Sequence, residues 1–322
     1  MITDLHRKNI ADLLLREYGV LGTWQKVAAK TGANVATISK NMMEPGRWNL
    51  VSDTMWAKVA GKLAYKITQT EWVYVETTNS KIVKQVLSDA QNDCLFIAIS
   101  DKAGSGKSSS IAAYKAQDAN NSVIVFECRD WTRHNFFVKL AEALGVQMPK
   151  FGMYHFRTDQ LFEKIVSFLK TMVATKRPLL ILDEADKLRP EALTFIVPLY
   201  NELKGEIGLV IAGTENLERQ IKRGVRYAKK GYDEVDSRLG RSFVHLVGTT
   251  KTDVVNICSA NGIDKAKANE IWNELETEQK QIGGRYIEVV VDLRRVERIV
   301  KRVQKQQSRD IMMLNGLEAV AA

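Results

Sequence analysis

Residues 81–249 carry five short apolar runs, at 94–99, 123–126, 179–182, 207–212 and 243–247, each followed by a segment with helical spacing. Runs this short, without polar alternation, belong to strands covered on both faces. Their alternation with helices predicts an α/β fold built on a parallel sheet. A chain of 322 residues has room for this core and for smaller domains on either side.

The flanks read differently. Residues 1–65 form short helices: one over 24–30, a turn at Thr31-Gly32-Ala33-Asn34, a second helix over 35–43, then a break at Pro45-Gly46. This is helix-turn-helix spacing, with small Ala28 where the helices cross, Gly32 permitting the turn and Ile38 anchoring the second helix. Residues 66–80 are a polar connector with a β-branched patch at Trp72-Val73-Tyr74-Val75. Residues 250–308 are expected to be a helical lid, with helices over 253–260, 265–280 and 292–307, and 309–322 a flexible tail. No apolar run is long enough to span a bilayer, and the N-terminus carries acid and base with no apolar stretch behind it. Cys94, Cys128 and Cys258 lack metal spacing; Cys94 and Cys128, at the edges of apolar runs, read as buried thiols, which suits a reducing cytoplasm.

The chemistry concentrates after the first strand. It runs into Ser100-Asp101-Lys102-Ala103-Gly104-Ser105-Gly106-Lys107-Ser108-Ser109, and a helix follows. Gly104 and Gly106 let the backbone amides from Ala103 to Ser109 turn inward around phosphate oxygens at a helix N-terminus. Lys107 is expected on the β- and γ-phosphates and Ser108 on magnesium. Asp101 stands where the pattern has its first glycine, which alters the loop's shape and places a carboxylate near the phosphates. About 75 residues later, an apolar strand delivers Asp183 and Glu184 at its C-terminal end. Asp183 suits the magnesium shell and Glu184 the activation of water, while Asp186 is read as a cap on the next helix. The cofactors implied are ATP and Mg2+.

Three further residues fit a switching ATPase. Thr214 ends the fourth strand beside the expected γ-phosphate, with Asn216 as the alternative sensor. Arg238, or Arg241 in its place, precedes the last strand and is positioned either to reach a neighbouring subunit's γ-phosphate or to lie on the surface. Arg294 opens the last helix, where it either reaches the nucleotide or belongs to a basic face.

The net charge of +9 raises the odds of a polyanionic partner. Residues 219–230 contain six cations and no acid, among them Lys222, Arg223 and Arg226. The insert between the second and third strands adds Arg133, Lys139, Lys150 and Arg157, interleaved with Trp131, Phe151 and Tyr154. In the N-terminal module, Asn34, Thr37, Ser39 and Lys40 would face a duplex if the second helix entered a major groove. A solvated basic loop, or a module used only for protein contacts, is the alternative for each.

Taken together, the loop at 101–108, Ile181-Leu182-Asp183-Glu184-Ala185-Asp186-Lys187-Leu188, Thr214, Ser237-Arg238 and Leu293-Arg294-Arg295 resemble an AAA+ ATPase. Domain order, size and the connector Trp72-Val73-Tyr74-Val75-Glu76-Thr77 resemble the transposon target-selection ATPases of the phage Mu B type. That resemblance implies a largely non-sequence-specific binder of double-stranded DNA. It would form a homo-oligomer, a ring or helical filament with ATP at its subunit interfaces, and deliver DNA to a transposase. An ATP-switched helix-turn-helix regulator and a replicative helicase loader remain as rival readings.

Overall fold

The computed structural model describes residue 2, residues 4–63, residue 65, residues 72–146 and residues 156–321, without the side chains of residue 5 and residues 308–321. The chain divides into two compact units, Met1–Trp72 and Val73–Ala322.

In the first unit, α1 (Asp4–Leu21), α2 (Trp24–Thr31) and α3 (Asp53–Lys62) surround a core of Ile10, Leu14, Val27, Ile38, Met42 and Trp56. Thr23 caps α2 at its start, and Gly32 closes it in the left-handed region, with φ 67°. Ala28 and Ile38 are buried, as the spacing requires. The second helix of the motif departs from expectation, because Thr37–Met42 is wound as a π-helix. A 3-10 segment, Pro45–Leu50, follows it.

The second unit opens on α4 (Thr78–Asn92), which begins inside the expected connector because Thr77 and Ser80 form a reciprocal capping box. The β-branched patch forms no strand over the described residues 72–75, and residues 66–71 lie outside the described part. Val73 instead exchanges hydrogen bonds with the Asn261 side chain, at 3.0 and 3.3 Å.

The strands are β1 (Phe96–Ser100), β2 (Val123–Glu127), β3 (Leu179–Asp183), β4 (Gly208–Gly213) and β5 (Phe243–Val244). They form one parallel sheet in the order β2-β3-β4-β1-β5. β3 and β4 are buried at every position, which explains their unbroken apolar sequence. Helices α5 (Lys107–Ala116), α6 (Arg133–Leu144), α7 (Thr158–Val173), α8 (Pro190–Leu193), α9 (Ile196–Leu203), α10 (Glu215–Arg226) and α11 (Tyr232–Arg238) complete this part. One core cluster packs Phe136, Phe137, Leu161 and Phe195 against one face of the sheet, and a second packs Val83, Leu87 and Ile111 against the other. The α/β fold is as the sequence predicts.

The C-terminal region is not purely helical. Helices α12 (Lys251–Ala260) and α13 (Lys265–Glu274) are followed by strands β7 (Glu278–Ile282) and β8 (Arg285–Val290), which form an antiparallel hairpin. β8 also pairs with β6 (Thr249–Thr250). The helix expected to reach residue 280 stops at Glu274. Its continuation is a mostly polar stretch that turns at Gly283-Gly284, a pair suited to a tight hairpin turn. The last helix, α14, spans Leu293–Ala321 and so continues through the expected tail, where Met, Leu, Glu and Ala favour helix. No helix among the described residues is long and apolar enough to cross a membrane.

Candidate functional site

Two parallel strands, β1 and β3, end on either side of β4, so the glycine loop and the Asp183-Glu184 pair emerge at the same edge of the sheet. Gly104 and Gly106 hold φ of 82° and 90°, conformations that glycine adopts without strain. Asp101 is not among the positive-φ residues, so a side chain fits at that position without backbone strain. The Asp101 carbonyl takes the Lys107 ammonium at 2.8 Å, and Lys102 O and Ser105 Oγ take it at 3.0 and 3.1 Å. Burial pushes the Lys107 ammonium below the usual lysine range. Nearby Asp101, Asp183 and Asp186 favour its charge, and Arg294 opposes it. A buried cation with three carboxylates nearby marks a site built to handle charge.

Ser108, in the first turn of α5, lies near enough to the Asp183 carboxylate to favour its charge, and the Glu184 backbone amide donates to Asp183 Oδ1 at 2.9 Å. Burial is the largest influence on Asp183 and raises its carboxyl above the ordinary range, with Ser108, the Glu184 amide and Lys107 working against it. A hydroxyl beside one carboxylate is the hard-oxygen pair magnesium accepts when phosphates and water complete its octahedron. These residues therefore fit the expected metal.

Glu184 sits in the left-handed region at φ 56°, and its carboxylate pairs with Lys187. A non-glycine residue there is strained, and the turn projects this carboxylate past the end of β3. Asp186 does not cap the helix after it. Its carboxylate receives the Thr214 amide at 3.1 Å and the Thr214 hydroxyl at 2.7 Å. Thr214 in turn caps α10 through Asn216 N–H. The expected sensor is thus held by the turn that carries Glu184, because β3 and β4 are neighbours.

Arg294 lies at the glycine loop. Asp292 caps α14, accepting the Arg294 amide at 3.0 Å and its Nε at 3.1 Å. The Leu293 amide donates to Gly104 O at 2.9 Å. A Cβ at Gly104 would overlap the Asp292 carboxylate and lie 3.1 Å from Arg294 Nη2. From the hairpin, Glu278 pairs with Lys102 at 2.8 Å. Sequence reading missed Asp292 and Glu278; only Asp292 left a signal, an acid just before a helix.

Arg238 packs within its own chain, its guanidinium carbon 5.0 Å from the centre of the Tyr200 ring, while its Nε is buried without a hydrogen-bond partner. Arg241 pairs with Asp233 at 3.0 Å.

The expected DNA contacts separate. Lys222 is committed to the buried Asp236, at 2.9 and 3.1 Å, and also donates to Arg241 O, so its place in the basic cluster is structural. Arg223 lies over Tyr227, and Arg226 is exposed on the same helix. Arg133 lies over Phe137, and Arg157 is paired with Asp159 through two nitrogens. Lys150, Phe151 and Tyr154 lie outside the described residues. In the first unit, Asn34 Oδ1 accepts the Ala36 amide at 2.8 Å, which makes it a helix cap, whereas Lys40 is exposed and Thr37 half-buried. The most consistently basic surface was read only as a basic helix: between 294 and 306 the exposed residues of α14 are Arg294, Arg295, Arg298, Arg302, Lys305 and Gln306.

With this geometry in place, residues 90–221 match the family model described as AAA domain. Solved structures similar to it include Cdc6p from Pyrobaculum aerophilum, with 16% identity, 60% of this chain and 52% of that chain covered, and a TM-score of 0.45. Another is the Aeropyrum pernix Orc1 protein in complex with DNA, with 18% identity, coverages of 57% and 48%, and a TM-score of 0.39. The chain thus spans about half the length of each. No curated protein matches it. The matched stretch runs from the end of α4 into α10, and so contains the glycine loop, Asp183, Glu184 and Thr214.

Proposed function

We propose that this chain is a magnesium-dependent ATPase that assembles on double-stranded DNA and presents that DNA to a transposase. The observation that carries the ATPase part is the convergence of Lys107, Ser108, Asp183, Glu184 and Thr214 at one sheet edge, with Arg294 beside the loop. Lys107 and the inward amides of the loop would hold the phosphates, and Ser108 with Asp183 would hold magnesium, which supplies charge neutralisation at the phosphate being transferred. Glu184 orients water, and Thr214 and Arg294 register the terminal phosphate. Arg238 acts in a neighbouring subunit's site only if its guanidinium leaves Tyr200.

The DNA part is supported by the exposed cations of α14, by Arg223 and Arg226, and by the helix-turn-helix spacing of the first unit. Phosphate contacts of this kind give affinity without sequence choice. The transposase rests on the resemblance to target-selection ATPases alone.

The test is co-sedimentation with random-sequence duplex, with ATP, with ADP and without nucleotide, at low and high salt, alongside phosphate release. Large ATP-dependent assemblies that salt dissolves support the reading. Binding confined to one operator sequence would replace it with the regulator, and a stable complex with a hexameric helicase would replace it with the loader.

A further inference from the structure

We propose that Asn79 is a positioning residue for phosphate binding, and that it acts by fixing the orientation of the peptide between Ser105 and Gly106. The inference rests on the reading of residues 101–108 as a phosphate-binding loop.

Asn79 lies in the first turn of α4, is 1% exposed, and its side-chain hydrogen bonds go to Ser105 and Gly248 rather than to Lys107, Glu184 or Thr214. Its amide serves two buried backbone groups at once. Nδ2 donates to Ser105 O at 2.9 Å, and Oδ1 accepts Gly248 N–H at 2.9 Å. The two partners also settle which way the amide points, since a carbonyl needs the NH2 end and an N–H needs the oxygen. Gly248 cannot drift away from this bond. Its φ is 110°, and a Cβ there would lie 2.7 Å from Val289 Cγ2, so the backbone is packed tightly against β8.

The consequence follows from peptide geometry. A trans peptide is planar, with its C=O and its N–H pointing in opposite directions. The bond from Asn79 holds Ser105 O outward, away from the cradle, and therefore turns Gly106 N–H inward. The preceding peptide is held in the same sense, because the Leu293 amide donates to Gly104 O at 2.9 Å and so turns Ser105 N–H inward. Two successive amides of the loop are thus aimed from outside, one by α14 and one by Asn79. Without the Asn79 amide, Ser105 O becomes a buried acceptor with no donor, and rotation of that peptide toward the cradle would place an oxygen where a phosphate needs an N–H.

The full-length protein is titrated with a fluorescent ATP analogue in magnesium buffer, as wild type, Asn79→Ala, Asn79→Asp and Lys107→Ala, with circular dichroism and melting on the same samples. Asn79→Ala is expected to weaken binding at least tenfold while the far-ultraviolet spectrum is unchanged. Asn79→Asp supplies a readout that general loosening does not move. Its ionised carboxylate still accepts Gly248 N–H but opposes Ser105 O with a second acceptor, whereas its protonated form can donate again. Affinity of this variant is therefore expected to recover toward wild type as pH falls from alkaline to mildly acidic, relative to the wild-type profile. The charged groups facing this position are Asp253, which takes Thr78 N–H, and Lys107, which donates to Ser105 Oγ; both are common to the two proteins. A folded Asn79→Ala that binds as tightly as wild type overturns the inference, as does an Asn79→Asp profile parallel to wild type. If Asn79→Ala fails to fold, the Asn79→Asp profile decides. If wild type and Lys107→Ala bind alike, the phosphate-loop reading itself fails.

Discussion

Replacing Gly104 with alanine separates two costs that usually arrive together. The first is backbone strain: φ is 82°, and an L-residue in the left-handed region costs roughly 1–2 kcal/mol. The second is the clash with the end of α14. A Cβ would overlap the Asp292 carboxylate, whose Cγ would be 2.6 Å away, and Asp292 must then release Arg294. Each of those half-exposed hydrogen bonds contributes about 0.5–1.5 kcal/mol, so the clash adds roughly 1–3 kcal/mol. Gly104→Ala should therefore cost about 2–5 kcal/mol in the native background and only about 1–2 kcal/mol in Asp292→Ala, where the overlap is gone. Gly145→Ala is the internal control, because its φ is 71° and a Cβ meets nothing within 4 Å, leaving the strain alone. Urea unfolding of the four proteins of the cycle, with Gly145→Ala beside them, gives the numbers. Equal costs for Gly104→Ala in both backgrounds would refute the contact between Asp292 and the loop, and with it the placement of Arg294 beside the glycine loop.

Other substitutions test the charges. Burial raises the Asp183 carboxyl above its ordinary 3.8, so the fold favours its protonated form and loses stability as pH rises through the folded value. Asp183→Asn should melt higher than wild type at neutral pH by a few degrees, with the gap closing in acid, while magnesium-dependent phosphate release disappears; a lower melting point at neutral pH would sink this account. Lys222→Ala strips the nearer cation from Asp236, which is 3% exposed, leaving Arg241 at 3.8 Å. A loss of about 1–3 kcal/mol is expected in urea, below the range for a fully buried pair because the lysine is partly exposed and one cation remains. Arg226→Ala should change stability by less than about 0.5 kcal/mol and reduce retention of DNA on a filter; the reverse pattern would return Lys222 to the DNA surface.

The readable part of this chain was the part whose chemistry is local. A strand, a glycine loop and a helix follow one another over 96–116, so their order alone carried the site, and the apolar runs of β3 and β4 carried the sheet. The role of Asp186 was misread because a carboxylate after a strand resembles a helix cap. Its partner Thr214 is 28 residues away and is brought close only by the pairing of β3 with β4. Lys222 looked like one cation among six because Asp236, which claims it, follows 14 residues later. Asn79 gave no signal at all, since a polar residue at the start of a helix is ordinary, and its partners sit 26 and 169 residues away. The hairpin of β7 and β8 was hidden by its polar, exposed composition, which matches neither a buried strand nor an amphipathic helix.

The order of the strands also works as a ruler. Because β4 is inserted between β1 and β3, the loop that would hold phosphates and the strand that delivers Asp183 stand two strand spacings apart, roughly 9.5 Å. With β3 directly beside β1, that separation would halve, and the carboxylate would press on the loop with little space for a hydrated cation and a terminal phosphate between them. β4 is therefore a spacer whose width is set by backbone hydrogen bonding, a quantity that side-chain substitution barely alters. The Asp186–Thr214 bonds pin the tip of that spacer to the strand it separates, so the gauge of the site is held at its open end as well as in the sheet.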